Sequence, residues 1–508
     1  MRLYFLLLFL LFNEAVRAQT APLPDTLAYA RAKAYGQDFT EADRILSIYN
    51  TGRRNVNGLR LQAQVLYWKQ EFKRAAALHE QAIAAFPALP VLRLDYARLL
   101  TELGEPGKAQ GLLRQCLAQD SLQAEAYILL ARIHYQNLQL APARQELATL
   151  LRHFPGNADA LALRREIDQS TGPYVRVGSI FRRDDQPLTA WTQELEASWF
   201  RSGLLAPTVQ VQANQFKLPE ESGLTTAARS YWLQAGNKLS WPQHGLSLTT
   251  TAGVFAAPPG GRPLRATGAL QLTKKLSRTL ALDLSTTLQP YQYVLASVRQ
   301  PVLENVAGGA LRYSRAGNWL GKAGYDQRQY GDDNLVRAAY VWLLAPLVSR
   351  KTLTVQGGYS FAYATAAAST YTAVRSLAAV VAAGGGAVEG RYQPYFTPKN
   401  QAVHALLLSA RLTALPRLTV SGRGSFGVAG RADAPFLYLD KAGNDAFFFA
   451  RGFSRQSYHP VEVHGEVALK ATPSWSVAAS YDYASLIFYR AHQAALQLQY
   501  HLVRDANN

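Results

Sequence analysis

The pattern of apolar and polar positions divides the chain into three stretches. Leu3 to Phe12 is an unbroken apolar run behind Arg2, and Ala18 closes a small-residue cleavage pattern with Val16. That combination predicts a secretory signal peptide over residues 1–18. As a helix the run rises only about 15 Å, half of a bilayer's hydrocarbon core, which argues against a membrane anchor. From Gln19 to Thr171 the period is helical. From Tyr174 onward it is two. Leu353, Val355, Gly357, Tyr359, Phe361 and Tyr363 alternate with Thr354, Gln356, Gly358, Ser360 and Ala362. Leu418 to Val428 and Val461 to Leu469 repeat this alternation, as do Leu496, Leu498, Tyr500 and Leu502 against Gln497, Gln499 and His501.

The helical stretch carries an internal repeat. Ala63, Ala97 and Ala131 are spaced by one period, and so are Ala75, Ala109 and Ala143. A period of about 34 residues with two small columns predicts tetratricopeptide helix pairs, in which a small residue lets the neighbouring helix cross closely. Pro87 and Pro155 close second helices, since proline lacks the N–H that would continue them. Ala30 and Ala42 suggest a degenerate first repeat, and Ala158 to Gln169 a capping helix. Such an array forms a solenoid with a concave binding face, and periplasmic proteins are its expected partners.

Strands of about ten residues with one apolar and one polar face suit a membrane barrel, which must close because lipid offers no partner to a free backbone group. The alternative, a soluble all-β domain with one wet face, fits less well. The alternation persists to the end, and aromatics such as Trp191, Trp199, Phe200, Tyr231, Trp232, Trp241, Trp319, Trp342 and Trp475 appear near strand ends. Roughly sixteen segments are expected, among them 387–396 and a final span, 475–503, long enough for two strands. Pro258-Pro259-Gly260-Gly261 marks a turn. Residues 366–386 and 431–457 are expected to be extracellular loops or a plug. The fold class is therefore α + β and multidomain: a signal peptide (1–18), a helical tetratricopeptide solenoid (19–171) and an antiparallel transmembrane β-barrel (172–508).

Composition narrows the chemistry. One cysteine, Cys116, rules out an internal disulfide and a cysteine-based metal site. No stretch after the signal reaches eighteen apolar residues, so no transmembrane helix is expected. The repeat region has 18 basic and 15 acidic residues, and the barrel region 33 against 19. Two readings of that barrel excess stand: contact with lipid phosphates at the membrane rims, or an electropositive lumen that guides an anionic or acetylated polymer. Nothing indicates nucleic acid. No nucleophile elbow, zincin motif or phosphate loop is present. His459, Glu462, His464 and Glu466 form the nearest titratable grouping, with Glu462, His464 and Glu466 on one strand face. They read as solvated lumen polars, so no catalytic, cofactor or metal residue is assigned and the chain is not expected to be an enzyme.

One segment carries more than pattern. Gly390-Arg391-Tyr392-Gln393-Pro394-Tyr395-Phe396-Thr397-Pro398-Lys399-Asn400 precedes a strand ending Leu408-Ser409-Ala410-Arg411-Leu412. It resembles the Tyr-Phe-Ser-Pro-Gln element in the carboxy-terminal barrel of the C subunit of cellulose synthase. Tyr395, Phe396 and Pro398 match, Thr397 is conservative, and Lys399 departs from the usual glutamine. That family is similar also in placing tetratricopeptide repeats directly before an outer-membrane barrel, although about four repeats here make a much shorter array.

The resemblance implies export of a cellulose-like exopolysaccharide through the barrel. Periplasmic or inner-membrane synthase components would be partners of the repeats, and the barrel would sit in outer-membrane lipid. A glycan would thread a wet lumen through many weak sites. The polar strand faces supply the candidate lumen residues: Arg328, Tyr330, Gln356, Arg423, Glu462, Glu466, Asp482, Gln497 and Gln499. Tyr395 to Pro398 are expected to shape the start of a strand rather than touch the glycan. Two other functions stay open: a barrel that only anchors a periplasmic scaffold, and a barrel enzyme acting on lipid or glycan.

Overall fold

The computed structural model describes residues 25–51, 55–185, 188–219, 225–257, 264–315, 318–384, 388–443 and 446–502. The expected signal peptide and the Pro258–Gly261 turn lie outside the described residues. The chain divides into two compact units between Arg165 and Glu166, and each is considered by itself.

The first unit is a run of antiparallel helix pairs: α1 (Thr26–Tyr35) with α2 (Phe39–Asn50), α3 (Val56–Trp68) with α4 (Phe72–Ala85), α5 (Pro90–Glu102) with α6 (Pro106–Gln119), and α7 (Ala124–Gln136) with α8 (Leu140–His153). Helix α9 (Ala158–Thr171) ends the helical period where the sequence ends it. Ala30, Ala42, Ala63, Ala75, Ala97, Ala109, Ala131 and Ala143 are all buried, as a small column at each helix crossing requires. Leu100, Leu113, Cys116 and Leu130 fill the core between pairs. The turn inside each pair needs one left-handed residue. Gly104 supplies it freely at φ 72°, whereas Gln70 and Leu138, one period either side, adopt it at 64° and 58° against their Cβ atoms. Capping is local: the Asp38 and Asn55 side chains accept from the backbone N–H groups of Glu41 and Gly58.

The second unit is a closed antiparallel barrel. Its ring strands are β1 (Tyr174–Asp184), β2 (Thr189–Ser198), β3 (Pro207–Pro219), β4 (Thr225–Trp241), β5 (Leu246–Ala256), β6 (Arg265–Lys275), β7 (Leu280–Tyr291), β8 (Val302–Arg315), β9 (Trp319–Tyr330), β10 (Leu335–Ser349) and β11 (Leu353–Ala366). Two three-residue strands, β12 (Tyr371–Ala373) and β13 (Gly390–Tyr392), pair only with each other. The ring resumes with β14 (Gln401–Leu415) and β15 (Leu418–Lys441), skips β16 (Phe447–Tyr458), and ends with β17 (Val461–Lys470), β18 (Trp475–Leu486) and β19 (Tyr489–His501). The first half of β15 pairs with β17, while its second half runs on with β16 as a hairpin outside the ring. Pairing of β1 with β19 closes sixteen strands.

The strand number agrees with expectation although two segments were misassigned. Of the segment expected over 387–396, residues 388–396 are a loop with only β13 in it, while the final span holds the two strands its length allowed, so the count stands. Residues 431–457 are not a loop but the β15–β16 hairpin. Outward positions are apolar and exposed, as in Val177, Leu195, Val211, Leu233, Leu284, Leu343, Leu408, Val467 and Leu498. Such a face suits hydrocarbon rather than water. Trp319 and Trp475 face out at the end where Tyr174 and His501 lie (the terminal end), and Trp191 at the other (the loop end). Trp232 and Trp342, expected in a girdle, face inward instead, opposite Gln212 and Ser360.

One titration follows from the repeat packing. His79 is buried and stacked on Tyr96, ring centroids 5.4 Å apart. Burial pushes its imidazole down from 6.5 to about 4. Below pH 6.5 the unfolded chain takes up a proton that the folded unit refuses until about pH 4. The stability held by neutral His79 is therefore complete above pH 6.5 and is lost between 6.5 and 4, by roughly 2–3 kcal/mol. His79→Phe removes this slope: helical melting of the full chain, followed by circular dichroism from pH 7 to 4.5, should fall less steeply in the variant. Parallel slopes would contradict the assignment.

Candidate functional site: the barrel lumen

Alternation along each strand sends every second side chain inward, and the register fixes which. Arg176 on β1 faces Glu196 on β2 and Gln499 on β19; Arg423 on β15 faces His464 on β17, which faces Asp482 on β18. By the same register Arg328, Tyr330, Gln356, Glu462, Glu466 and Gln497 also point into the lumen. The wall is polar, with Gln210, Gln212, Gln234, Thr249 and Gln271 among its other members.

The nine candidates do not form one site. Arg423, Glu462, Asp482 and Gln356 line a cavity of about 720 Å³ together with Trp342 and His464. Arg328 lines a second cavity of about 470 Å³, with Glu304, Tyr291 and Phe396. Gln497 and Gln499 lie nearer the terminal end, and Gln499 is 2.7 Å from His501. Glu466 faces Ser421 and Ser480. Two candidates are not free wall. The buried Gln356 amide donates to the Asn318 carbonyl at 2.6 Å. Tyr330 is buried under Tyr395, the two rings stacked at 3.5 Å. The titratable grouping also separates: His464 Nδ1 is 2.7 Å from Asp482 Oδ1, while His459 Nδ1 meets the Gly427 carbonyl at 3.2 Å. Among the described residues no cluster of three or more His, Cys, Asp or Glu could hold a metal.

Charge in the lumen is near balance. Arg176 pairs with Glu196, Arg312 with Asp283 at 3.2 Å, and Arg182 with Asp184 at 2.9 Å. The outward face differs. Arg183, Lys217, Arg229, Lys274, Arg315, Arg337, Arg431 and Arg490 face out from ring strands, against one carboxylate among the described residues, Asp433, which follows Arg431 on the same face and pairs with Arg455 at 3.4 Å. The basic excess thus falls at the rims rather than in an electropositive lumen.

The loop end is filled from within by segments whose contacts join distant walls. Between β7 and β8, helix α10 (Leu295–Arg299) packs Leu295 and Val298 on Leu188, Phe216 and Leu218. Tyr293, from the same loop, takes the Arg182 guanidinium over its ring at 4.8 Å and accepts from it through its carbonyl at 3.3 Å. Between β11 and β14, Tyr395 is 1% exposed and its hydroxyl donates to Asp332 at 2.6–2.7 Å. Tyr392 stacks edge-on with Phe396 and with Phe488 from the β18–β19 turn. Arg451 on the β16 hairpin donates to the Ser369 and Tyr371 carbonyls. Helix α11 (Leu377–Ala382) lies in the same long loop.

The Tyr395–Pro398 expectation is therefore half right. Pro398 does sit at a strand start, its carbonyl accepting from Ala366 N–H at 2.7 Å. Tyr395 instead anchors the loop inside the barrel. Sequence reasoning missed α10 and Arg182; the aromatic pair Tyr291 and Tyr293 was the available signal. The repeat unit has a groove of its own, about 700 Å³, lined by Arg60, Tyr67, His79, Asp95, Arg98 and Arg132. Asp95 bridges Arg60 at 2.5 Å and Arg98 at 2.7 Å.

A tetratricopeptide-repeat family model matches residues 69–120 and 100–167. The chain contains tetratricopeptide repeats. With the closed sixteen-strand barrel that follows them, the order of parts is the one expected from the resemblance to the C subunit of cellulose synthase. No curated protein matches by sequence. Among solved structures, a bacterial polysaccharide outer membrane secretin is similar at 9% identity and TM-score 0.44, over 65% of this chain and 99% of that one. A thermophilic repeat protein of Thermus thermophilus is similar at 19% identity and TM-score 0.27, over 31% and 87%. A repeat protein of Parabacteroides merdae follows at 17% and 0.26, over 28% and 58%.

Tyr395→Ala deletes the stacked pair with Tyr330 and the hydroxyl bond to Asp332, a truncation that costs about 3–5 kcal/mol at a buried aromatic. The ring, held by its own strand pairing, should keep its β content while single-channel conductance in planar bilayers rises. Unchanged conductance would show that this loop does not obstruct the path.

Proposed function

We propose that the chain is an outer-membrane channel that exports an exopolysaccharide, with its repeats on the periplasmic side recruiting the synthesis machinery. The observation that carries this reading is a closed ring wide enough for a lumen whose inner wall is polar while its outer wall is apolar. Gln, Ser, Thr and Tyr side chains can trade hydrogen bonds with sugar hydroxyls, and Trp342 offers an aromatic face to a sugar ring. Balanced charge along the wall suits a neutral, cellulose-like glycan better than a polyanion, to which a wall of paired charges offers no net attraction. The wall acts by binding weakly at many points, so a chain slides without being trapped. No catalytic step is invoked.

The apolar outer band and the inward-facing polar wall support an outer-membrane site. The groove around Arg98 and Arg132 supports a protein partner for the repeats, and it also favours the second reading, a membrane-anchored scaffold that moves no polymer. Secretion separates them. Arg423→Glu with Gln497→Glu places new negative charge on the path. A neutral glycan should still be secreted, at a rate reduced about severalfold by altered wall contacts, whereas deletion of the barrel should abolish secretion. Secretion that survives loss of residues 172–508 would sink the export reading and leave the scaffold.

A further inference from the structure

The outward basic side chains all lie towards the two ends of the ring, and four of them gather in one place. Arg490 on β19, Arg183 on β1, Lys217 on β3 and Arg229 on β4 occupy the loop end of five consecutive strands. Arg183 stands opposite Thr189 on β2, which stands opposite Lys217. His492, also outward, stands opposite Arg183 on its other side, and Arg490, the second residue of β19, lies one outward position nearer the rim. Arg229 lies one outward position deeper, in a row with Gln215, Trp191 and Phe181. At about 4.8 Å between strands the group spans about 19 Å.

All four side chains are exposed, and none has an acidic partner among the described residues. The neighbouring carboxylate, Asp185, accepts the backbone N–H of Arg490 at 3.1 Å. Directly below the cations stand exposed aromatics: Trp191, 50% exposed and edge-on to Phe181 at 6.0 Å, and Tyr231. Below those come Val177, Leu195, Val211 and Leu233. An aromatic row over an apolar band is the signature of the headgroup level. The anions available to cations at that depth are phosphates of the lipids themselves, and the wall beneath, apolar apart from the hydrogen-bonded Ser179 and Gln193, leaves acyl chains as the matching neighbour. Elsewhere on the ring Arg337 on β10 and Arg431 on β15 stand singly, three strands from each other.

We infer that the loop-end outer face of β19, β1, β2, β3 and β4 is a binding site for the phosphate-bearing headgroup of a membrane lipid, centred on Arg183 and Lys217. The site lies outside the lumen, and its existence does not depend on what the lumen carries. Basic residues at a membrane surface each add to anionic-lipid affinity, and guanidinium groups match phosphate oxygens two at a time.

The test uses the full chain refolded in neutral detergent and titrated with diphosphoryl lipid A or its dephosphorylated form, bound lipid being counted by native mass spectrometry. The diphosphoryl lipid should be retained and the dephosphorylated one released. The combined Arg183→Gln, Lys217→Gln, Arg229→Gln and Arg490→Gln variant should bind at least about tenfold more weakly. Arg337→Gln with Arg431→Gln should bind as the parent does, and Arg183→Lys should retain binding. Folding is checked by the heat-dependent gel mobility of closed barrels; if the fourfold variant fails that check, Arg183→Gln with Lys217→Gln carries the comparison. Equal retention of the dephosphorylated lipid overturns the inference, as does undiminished binding in a folded variant or an equal loss on the Arg337 side.

Discussion

The rest of the barrel depends on one junction, the pairing of β1 with β19. It runs without interruption from Tyr174 opposite His501 to Asp184 opposite Ala491. Without it two strand edges would keep unpaired N–H and C=O groups, each costing several kcal/mol wherever hydrocarbon surrounds the ring. The junction also sets the faces. A slip of one residue would turn Val175 and Val177 inward and push Arg176 and Gln499 onto the outer face. Polar lumen, apolar exterior and basic rim are thus one decision about register. Irregularities at Pro346–Val348 and His404–Ala405 bend individual strands without changing faces elsewhere.

What the sequence disclosed follows from how far each signal reaches. The alanine columns report crossings between helices close in sequence, and all eight alanines proved buried. Strand alternation is local too, so the inward side of Arg423, Glu462, Asp482 and Gln497 was legible. Strand ends were less so. Residues 387–396 contain Tyr392, Tyr395 and Phe396 in a spacing that suits a strand as well as a buried loop, and only their three-dimensional partners tell the two apart. Residues 431–457 have real strand character, realised outside the ring, because β15 runs past the point where β14 and β17 leave it.

The filling of the loop end was illegible for a different reason. Tyr330 and Tyr395 are 65 positions apart, and Arg182 reaches Tyr293 across 111. No periodicity links such pairs. Tyr330 looked like free wall because its face was read correctly and its cover was not visible. The charge question had the same structure. Composition gave a basic barrel, but only strand direction and register separate Arg183, outside, from its neighbour Arg182, inside.

These two kinds of contact divide the barrel's stability. The ring is held by continuous ladders of backbone hydrogen bonds that no single side chain controls. The loops inside it are held by separate side-chain contacts: the Tyr330–Tyr395 stack, the Tyr395–Asp332 bond, Arg182 over Tyr293, and Arg451 on two carbonyls. None of these bonds is part of the ring's ladder. A segment that opens at low free-energy cost while its scaffold stays intact has few ladder bonds and many side-chain ones. The loops between β7 and β8 and between β11 and β14 have that character, and their three-residue strands β12 and β13 pair only with each other. Moving these loops alone would therefore leave the ring intact, because the bonds that close the ring lie in the strands and the contacts that fill its loop end do not.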